Sequence, residues 1–126
     1  MGCSKQDRVQ KKLSGVWHIT EYKYHDLLGF NYYPEVSGEL FFENCNGGQC
    51  AYSLSINYVH PAITGSRTEA GSYLVNNQAG LLFFTPIING IQEAPREHEI
   101  LLLTKEDAQL RHTDSNGYTH QYLFER

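Results

Sequence analysis

Residues 50–59, Cys-Ala-Tyr-Ser-Leu-Ser-Ile-Asn-Tyr-Val, alternate between large apolar side chains and small or polar ones. Successive side chains of a β-strand point to opposite faces of its sheet, so this period of two predicts a strand with one buried face. The buried face would carry Tyr52, Leu54, Ile56 and Tyr58. The stretch therefore indicates a sheet whose inner surface is aromatic and aliphatic.

Similar runs, rich in β-branched and aromatic residues, recur along the rest of the chain. The preceding residues, 1–12, predict a polar tether with a short cap helix, and residues 13–126 predict one β domain. A chain of 126 residues is long enough for one core. The eight predicted strands, labelled A to H, lie at residues 13–24, 37–44, 50–59, 71–76, 80–86, 98–104, 107–113 and 118–125.

The connections between these strands alternate in length. B–C, D–E and F–G are tight, with turn residues such as Asn46-Gly47-Gly48, whereas A–B, C–D and E–F are longer and hold or border all four prolines. Because antiparallel neighbours reverse direction at every turn, alternate connections lie at the same end of the sheet. The pattern predicts an all-β fold, an eight-stranded antiparallel up-and-down β-barrel with a closed floor and a mouth of three long loops.

Alternation within each strand assigns the residues that face the barrel interior. In the last hairpin, a three-residue loop that ends with Gly117 in a left-handed bulge position pairs Leu110 with Tyr122. The same register places His112 opposite His120. Such a barrel can be filled by its own side chains or hold one small ligand, and the sequence leaves both possibilities open. The predicted lining of the interior and mouth is Phe42, Leu54, Ile56, Tyr58, Tyr73, Leu101, Leu110, His112, His120 and Tyr122.

Charge and hydropathy exclude two classes of partner. The net charge is −4, and basic residues cluster only at Lys11-Lys12. A surface that binds the phosphate backbone is normally basic, so nucleic acid is not an expected partner. No run approaches the roughly 18 apolar residues that a membrane-spanning helix needs, so we expect no such helix.

The N-terminal residues Gly2-Cys3-Ser4-Lys5 resemble the end of a bacterial lipobox, in which the cysteine carries a lipid after signal cleavage. We expect an exported lipoprotein that meets the membrane only through a lipid on Cys3. One alternative is myristoylation of Gly2, but Gln6 stands where that pattern asks for Ser or Thr. The other alternative is a chance Gly-Cys pair at an ordinary N-terminus.

Cys45 and Cys50 flank a turn sequence that brings the ends of the B–C hairpin together. A local disulfide between them is therefore plausible, and it would persist only in an oxidising compartment. Two free buried thiols in a cytosolic protein are the alternative. A zinc site is disfavoured because the pair lacks a second pair of ligands nearby.

The run Leu13-Ser14-Gly15-Val16-Trp17 at strand A, together with eight strands and the ending 122–126, resembles the lipocalin/calycin group. Within this group, the resemblance is to short lipocalin-like lipoproteins of Bacteroidetes-type bacteria. The resemblance implies a bacterial protein at the periplasm, outer membrane or cell surface. It also implies that Gly15 and Trp17 lie at the closed end, with Arg126 packed across the indole. The chain is shorter than typical lipocalins and lacks their C-terminal helix, so no ligand type follows.

Five of the six histidines, including His112 and His120, fall near the predicted mouth. They could bind a metal, haem or a polar ligand group, but strand ends also collect histidine at a wet rim. No cofactor or metal is predicted. Enzyme signatures such as a Gly-x-Ser-x-Gly elbow are missing from the sequence, and we expect a non-enzyme, with an isomerase or cyclase as the alternative.

Two functions remain open. The first is a barrel that holds a small, mostly apolar molecule, with the A–B loop as a lid that carries Leu28, Phe30, Tyr32 and Tyr33. The second is a protein-interaction or inhibitor module with a filled barrel, which uses the open-end loops to bind its partner.

Overall fold

The computed structural model describes residues 5–28, 31–32, 35–44, 49–60, 63–76 and 80–126. Eight long strands form a closed antiparallel β-barrel behind a short N-terminal helix, which confirms the predicted fold class. The described elements are α1 Lys5–Leu13, β1 Gly15–His25, β2 Asn31–Tyr32, β3 Glu35–Phe42, β4 Cys50–His60, β5 Ile63–Val75, β6 Leu81–Ile88, β7 Ile91–Gln92, β8 Arg96–Leu103, β9 Asp107–Thr113 and β10 Thr119–Glu125.

The barrel closes because its first and last strands pair. Going round the barrel, the order is β1, β3, β4, β5, β6, β8, β9 and β10, and β10 pairs again with β1. The two short strands lie beside this ring: β2 pairs with the end of β1, and β7 forms a small hairpin with the end of β6. A closed ring leaves no long unpaired edge among the eight long strands.

The prediction of a long C–D connection is wrong. Strand D was expected from residue 71, but β5 begins at Ile63 and pairs with β4 from His60 onwards. The connection between these strands therefore spans two residues, 61 and 62, which lie outside the described residues, and is not a long loop. Residues 64–70 gave no apolar alternation because the inward positions of this segment are the charged residues Arg67 and Glu69.

The E–F connection also differs from its prediction as a long loop. β6 continues to Ile88, turns through Asn89 and Gly90 at positive φ, and returns as β7. The mouth is therefore bordered by two extended hairpins, together with the A–B connection that contains β2.

The closed end is covered by α1. Asp7 in its first turn and Lys11 and Lys12 in its last turn complement the helix dipole. Leu13 at the end of the helix is fully buried in the core, and its carbonyl accepts a 2.8 Å hydrogen bond from the Trp17 indole nitrogen. Within the described residues, no helix is long and apolar enough to cross a membrane.

The Arg126 guanidinium lies 4.1 Å from the centre of the Trp17 ring. It also donates a 2.7 Å hydrogen bond to the Ser14 carbonyl and another to the Lys12 carbonyl. Arg126 thus joins the last strand to the end of α1 and to the start of β1. Gly15 opens β1 with φ +108°, a conformation that side chains rarely allow.

The last hairpin has the predicted register. Leu110 is opposite Tyr122 and His112 is opposite His120, across a loop in which Gly117 has φ +83°. Strand C also alternates as predicted, with Tyr52 and Ile56 buried in the core.

Gly38 in β3 lets two strands approach closely. Its φ is +141°, and a Cβ built there would lie 1.9 Å from the Ser55 carbonyl oxygen of β4. A side chain at this position would meet backbone that cannot move aside, so this close approach of β3 and β4 requires glycine.

We predict that Gly38→Ala lowers the free energy of unfolding by about 1 to 3 kcal/mol, because it forces an unfavourable φ and a backbone clash. Gly65→Ala in β5 is the matched control, since a Cβ there meets nothing within 4 Å. It should change stability by less than about 0.5 kcal/mol. Urea denaturation measures both, and equal losses in the two variants would contradict this interpretation of Gly38.

Candidate ligand-binding site

A cavity of about 20 Å³ lies inside the barrel. This volume holds roughly one water molecule, so the interior is close to filled by its own side chains. Most of the cavity wall is apolar or aromatic, but one side is charged. The lining residues are Leu40, Tyr52, Leu54, Ile56, Arg67, Glu69, Phe84, Arg96, His98, Leu110, Tyr122 and Phe124.

The charged side of the cavity is centred on Glu69, whose side chain is only 9% exposed. Its Oε1 accepts a 2.5 Å hydrogen bond from the Tyr52 hydroxyl and another from the Arg96 guanidinium. The Arg67 Nε lies 3.9 Å from Oε2 of the same carboxylate. These three residues and Glu69 are called the charged cluster below.

The protonation states of the cluster follow from its contacts. Burial opposes ionisation of Glu69, but the hydrogen bonds from Arg96 and Tyr52 outweigh burial and lower its pKa. Burial and the neighbouring Glu69 carboxylate raise the pKa of Tyr52. At neutral pH the cluster therefore contains one carboxylate, one neutral phenol and two guanidinium groups.

His98 lines the cavity together with the charged cluster. Its ring packs edge-on against Phe84 at 4.8 Å between ring centres and stacks on His112 at 4.6 Å. Burial first, and then the proximity of His112, lower the pKa of His98 to about 3. His98 is therefore uncharged at neutral pH and adds nothing to the charge of the cavity.

A row of aromatic rings continues from His98 towards the mouth. His112 stacks on His120 with ring centres 6.0 Å apart. The His120 Nδ1 is 2.5 Å from the Tyr22 hydroxyl, and its Nε2 is 2.9 Å from the Asp114 carboxylate. That contact with His120, together with backbone hydrogen bonds, lowers the pKa of Asp114.

The histidine row does not form a recognisable metal site. Neighbouring rings are nearly parallel, with interplanar angles of 15° between His98 and His112 and 26° between His112 and His120. In the described part of the chain, no group of three or more histidine, cysteine or acidic residues is placed to hold a metal ion.

Several predicted lining residues do meet at the cavity. Leu54, Ile56, Leu110 and Tyr122 form its apolar wall. His112 and His120 belong to the aromatic row that begins at His98. The sequence pattern did not assign His98 to the interior.

Other predicted lining residues lie elsewhere. Phe42 and Tyr73 pack together near the closed end, where the Tyr73 hydroxyl donates a 2.9 Å hydrogen bond to the Glu43 carbonyl. The prediction for Leu101 is wrong: it is 39% exposed, because an irregularity in the β8–β9 register between Ile100 and Leu102 shifts the alternation. The side chain of Tyr58 lies outside the described residues.

The predicted lid and cysteine sites are only partly described. Leu28 is 81% exposed. The side chains of Phe30, Tyr32 and Tyr33, together with Cys3 and Cys45, lie outside the described residues. Cys50 is buried at the start of β4, where the Gln10 side-chain nitrogen lies 2.8 Å from its sulfur. The Cys45–Cys50 disulfide and the lipid on Cys3 stay predictions.

Sequence reasoning missed the charged cluster. Arg67 and Glu69 fell in the segment predicted as a loop, and Arg96 lay before the predicted start of strand F. One signal was present: the inward positions 75, 73 and 71 of strand D continue at a period of two to Glu69 and Arg67.

Comparisons with known proteins support the fold alone. No protein-family model matches the chain, and no curated protein matches it. Among solved structures, a redesigned β-barrel aligns with 12% identity and a TM-score of 0.58 over 98% of both chains. A redesigned barrel, mFAP0, bound to DFHBI aligns with 14% identity and a TM-score of 0.57 over 91% of this chain and 99% of that one.

A de novo designed fluorescence-activating β-barrel is also similar, with 14% identity and a TM-score of 0.55 over 94% of this chain and 96% of that one. At such identities the likeness concerns the arrangement of strands. It assigns no ligand to this chain.

The buried His98 predicts a pH dependence of stability. Unfolded, its pKa is about 6.5, and in the fold it is about 3. At pH values between these two, His98 is protonated in the unfolded chain but not in the folded protein. The free energy of unfolding is therefore highest above about pH 6.5, and it decreases as the pH falls below that value, by up to about 1.4 kcal/mol per pH unit.

His98→Phe, which keeps a ring but cannot bind a proton, should reduce the loss of stability between pH 7 and pH 4.5 by about 2 kcal/mol. His25→Gln, at the exposed end of β1, is the control and should retain the original dependence. Denaturation at each pH measures the effect. An unchanged slope in His98→Phe would contradict a neutral, buried His98.

Proposed function

We propose that the protein is a lipocalin-like binding protein that holds one small, mostly apolar molecule inside its barrel. The observation that carries this proposal is the cavity between an apolar, aromatic wall and the charged cluster. Ligand sites in proteins commonly combine an apolar lining with a few fixed polar groups that orient the ligand.

A barrel core that served only to stabilise the fold would not require the charged cluster. Removing charged groups from water is costly, and a buried ion pair often stabilises a fold no better than apolar residues of similar volume. Here a carboxylate and two guanidinium groups line the interior of a barrel whose other lining is apolar. A role in ligand binding gives these residues a reason to be inside.

The size of the cavity limits the ligand. Because about 20 Å³ is too small for an organic molecule, side chains must move when one enters. Arg67 and Arg96 are the partly exposed members of the lining, and Arg96 is the first residue of β8, at the mouth end. These long side chains can swing outwards. A similar barrel, mFAP0, is bound to the small molecule DFHBI, which supports binding within this architecture.

The proposal includes export and anchoring. A lipid on Cys3 would attach the protein to a bacterial membrane, at the periplasm or cell surface, and a Cys45–Cys50 disulfide would suit that oxidising setting. The intact mass of protein from its own host, measured before and after reduction, tests the lipid and the disulfide. An unmodified mass with free thiols would refute them.

The A–B connection would serve as the lid of the barrel, and we propose binding rather than catalysis.

A second function is favoured by apolar side chains at the mouth. Leu27 and Leu28 follow β1, and Ile87, Ile88 and Ile91 belong to the β6–β7 hairpin; all five are exposed. Exposed apolar groups of this kind can form a protein-binding surface. Protein binding that is lost in Leu28→Asp and retained when the cavity is blocked would favour this interaction module.

Blocking the cavity tests the proposed function. Leu54→Trp places a large ring in the cavity wall, and we predict that it weakens binding of the neutral dye N-phenyl-1-naphthylamine about tenfold or more, because no space remains. Fluorescence titration measures the affinity, and thermal unfolding verifies that the variant folds.

Leu102→Trp is the matched control. Because Leu102 is exposed, this substitution adds the same ring to the outer surface of the barrel. Its dye affinity should stay within about twofold of the original. The proposal fails if the unmodified protein binds neither this dye nor the aromatic acid and amide of the titration described below, or if folded Leu54→Trp binds the dye equally well.

A further inference from the structure

We infer that the ligand of the proposed site is an organic acid whose carboxylate pairs with the guanidinium of Arg96 at the charged cluster, while its apolar body lies against the aromatic and aliphatic side chains of the lining. This inference rests on the proposed function and names the chemical class of its ligand. It follows from the charge of the cavity, from an unmet hydrogen-bond donor and from the shape of the lining.

The cavity has an excess of positive charge. Arg67 and Arg96 contribute two charges, and Glu69 offsets one of them. Tyr52 and His98 are neutral at physiological pH, for the reasons given above. Among the described lining residues, Glu69 is the only acidic group. The described lining therefore carries more guanidinium than carboxylate charge, and a partly enclosed site of this sign favours an anion over a neutral or cationic ligand.

Other acidic groups near the mouth are engaged outside the cavity. Glu99 forms a 2.7 Å ion pair with Arg111, and Asp114 contacts His120 at 2.9 Å. Neither belongs to the cavity lining. Among the described lining residues, Glu69 is thus the one carboxylate beside the two guanidinium groups, so a ligand carboxylate would add a second negative charge there.

Arg96 also has a donor that is not used. Its Nε is buried and has no hydrogen-bond partner among the described residues, although its terminal nitrogen donates to Glu69. A buried donor without an acceptor costs free energy. A carboxylate can accept two parallel hydrogen bonds from the nitrogens of one guanidinium, so a ligand acid would satisfy Nε and bring a negative charge to the cluster together.

The remaining wall selects an acid with an apolar body over an inorganic anion. Phe84 and Tyr52 meet at 4.7 Å between ring centres on one side of the cavity, and Leu110 and Tyr122 lie on the same lining. Aromatic rings favour stacked or edge-on contact with a further ring. A small aromatic acid fits this combination of rings and guanidinium groups.

Calorimetric titration with cinnamic acid and with cinnamamide tests the inference, because the two share one aromatic body and differ in charge. We expect the acid to bind about tenfold or more tightly than the amide, the difference made by hydrogen bonds to a charged group. Arg96→Gln should remove this preference, weakening the acid about tenfold and leaving the amide within about twofold.

Two further variants keep the test decisive. Arg111→Gln removes an exposed arginine outside the cavity and should leave the preference for the acid intact. Arg96→Lys retains the charge but lacks the guanidinium fork, so it should keep part of the preference even if Arg96→Gln folds poorly.

Equal affinity for acid and amide, or an acid preference that persists in folded Arg96→Gln, would overturn the inference and leave the proposed function standing. Binding of neither compound, together with no binding of the neutral dye, would overturn the proposed function itself.

Discussion

The pairing of β10 with β1 is the contact on which the rest of the structure depends. It runs from His18 opposite Glu125 to His25 opposite Thr119, and it converts a twisted sheet into a closed barrel. Closure removes the sheet edges and creates an interior that water reaches mainly from one end. Arg126, immediately after β10, extends this contact by packing on Trp17 and holding the end of α1.

Closure also explains why the residues of the charged cluster lie close together in a confined space. β5 and β8 lie on either side of β6, and closure of the ring turns their inner faces towards the same narrow space. Arg67, Glu69 and Arg96 therefore meet at distances that an open, flatter sheet would not enforce. In that confined space the balance of charge matters, since a group that would be solvated on a surface must find a partner inside. The proposed ligand chemistry follows from this confinement.

The strands that alternate cleanly could be predicted from the sequence, and so could the register of the last hairpin, because both depend on local period and turn residues. The early start of β5 could not be predicted, since charged residues occupy inward positions of β5 where apolar ones were sought. Leu101 was misplaced by a register irregularity that no local pattern reveals. The charged cluster depends on contacts between strands far apart in sequence, which is why its residues escaped notice.

Nuclear magnetic resonance of the backbone tests the closed barrel most directly. We predict cross-strand nuclear Overhauser effects between Ile19 and Phe124 and between Tyr22 and Tyr122, with slow amide exchange along β1 and β10. Rapid exchange along both strands, without these cross-strand effects, would show two free edges. That result would contradict the closed barrel and the interior site built on it.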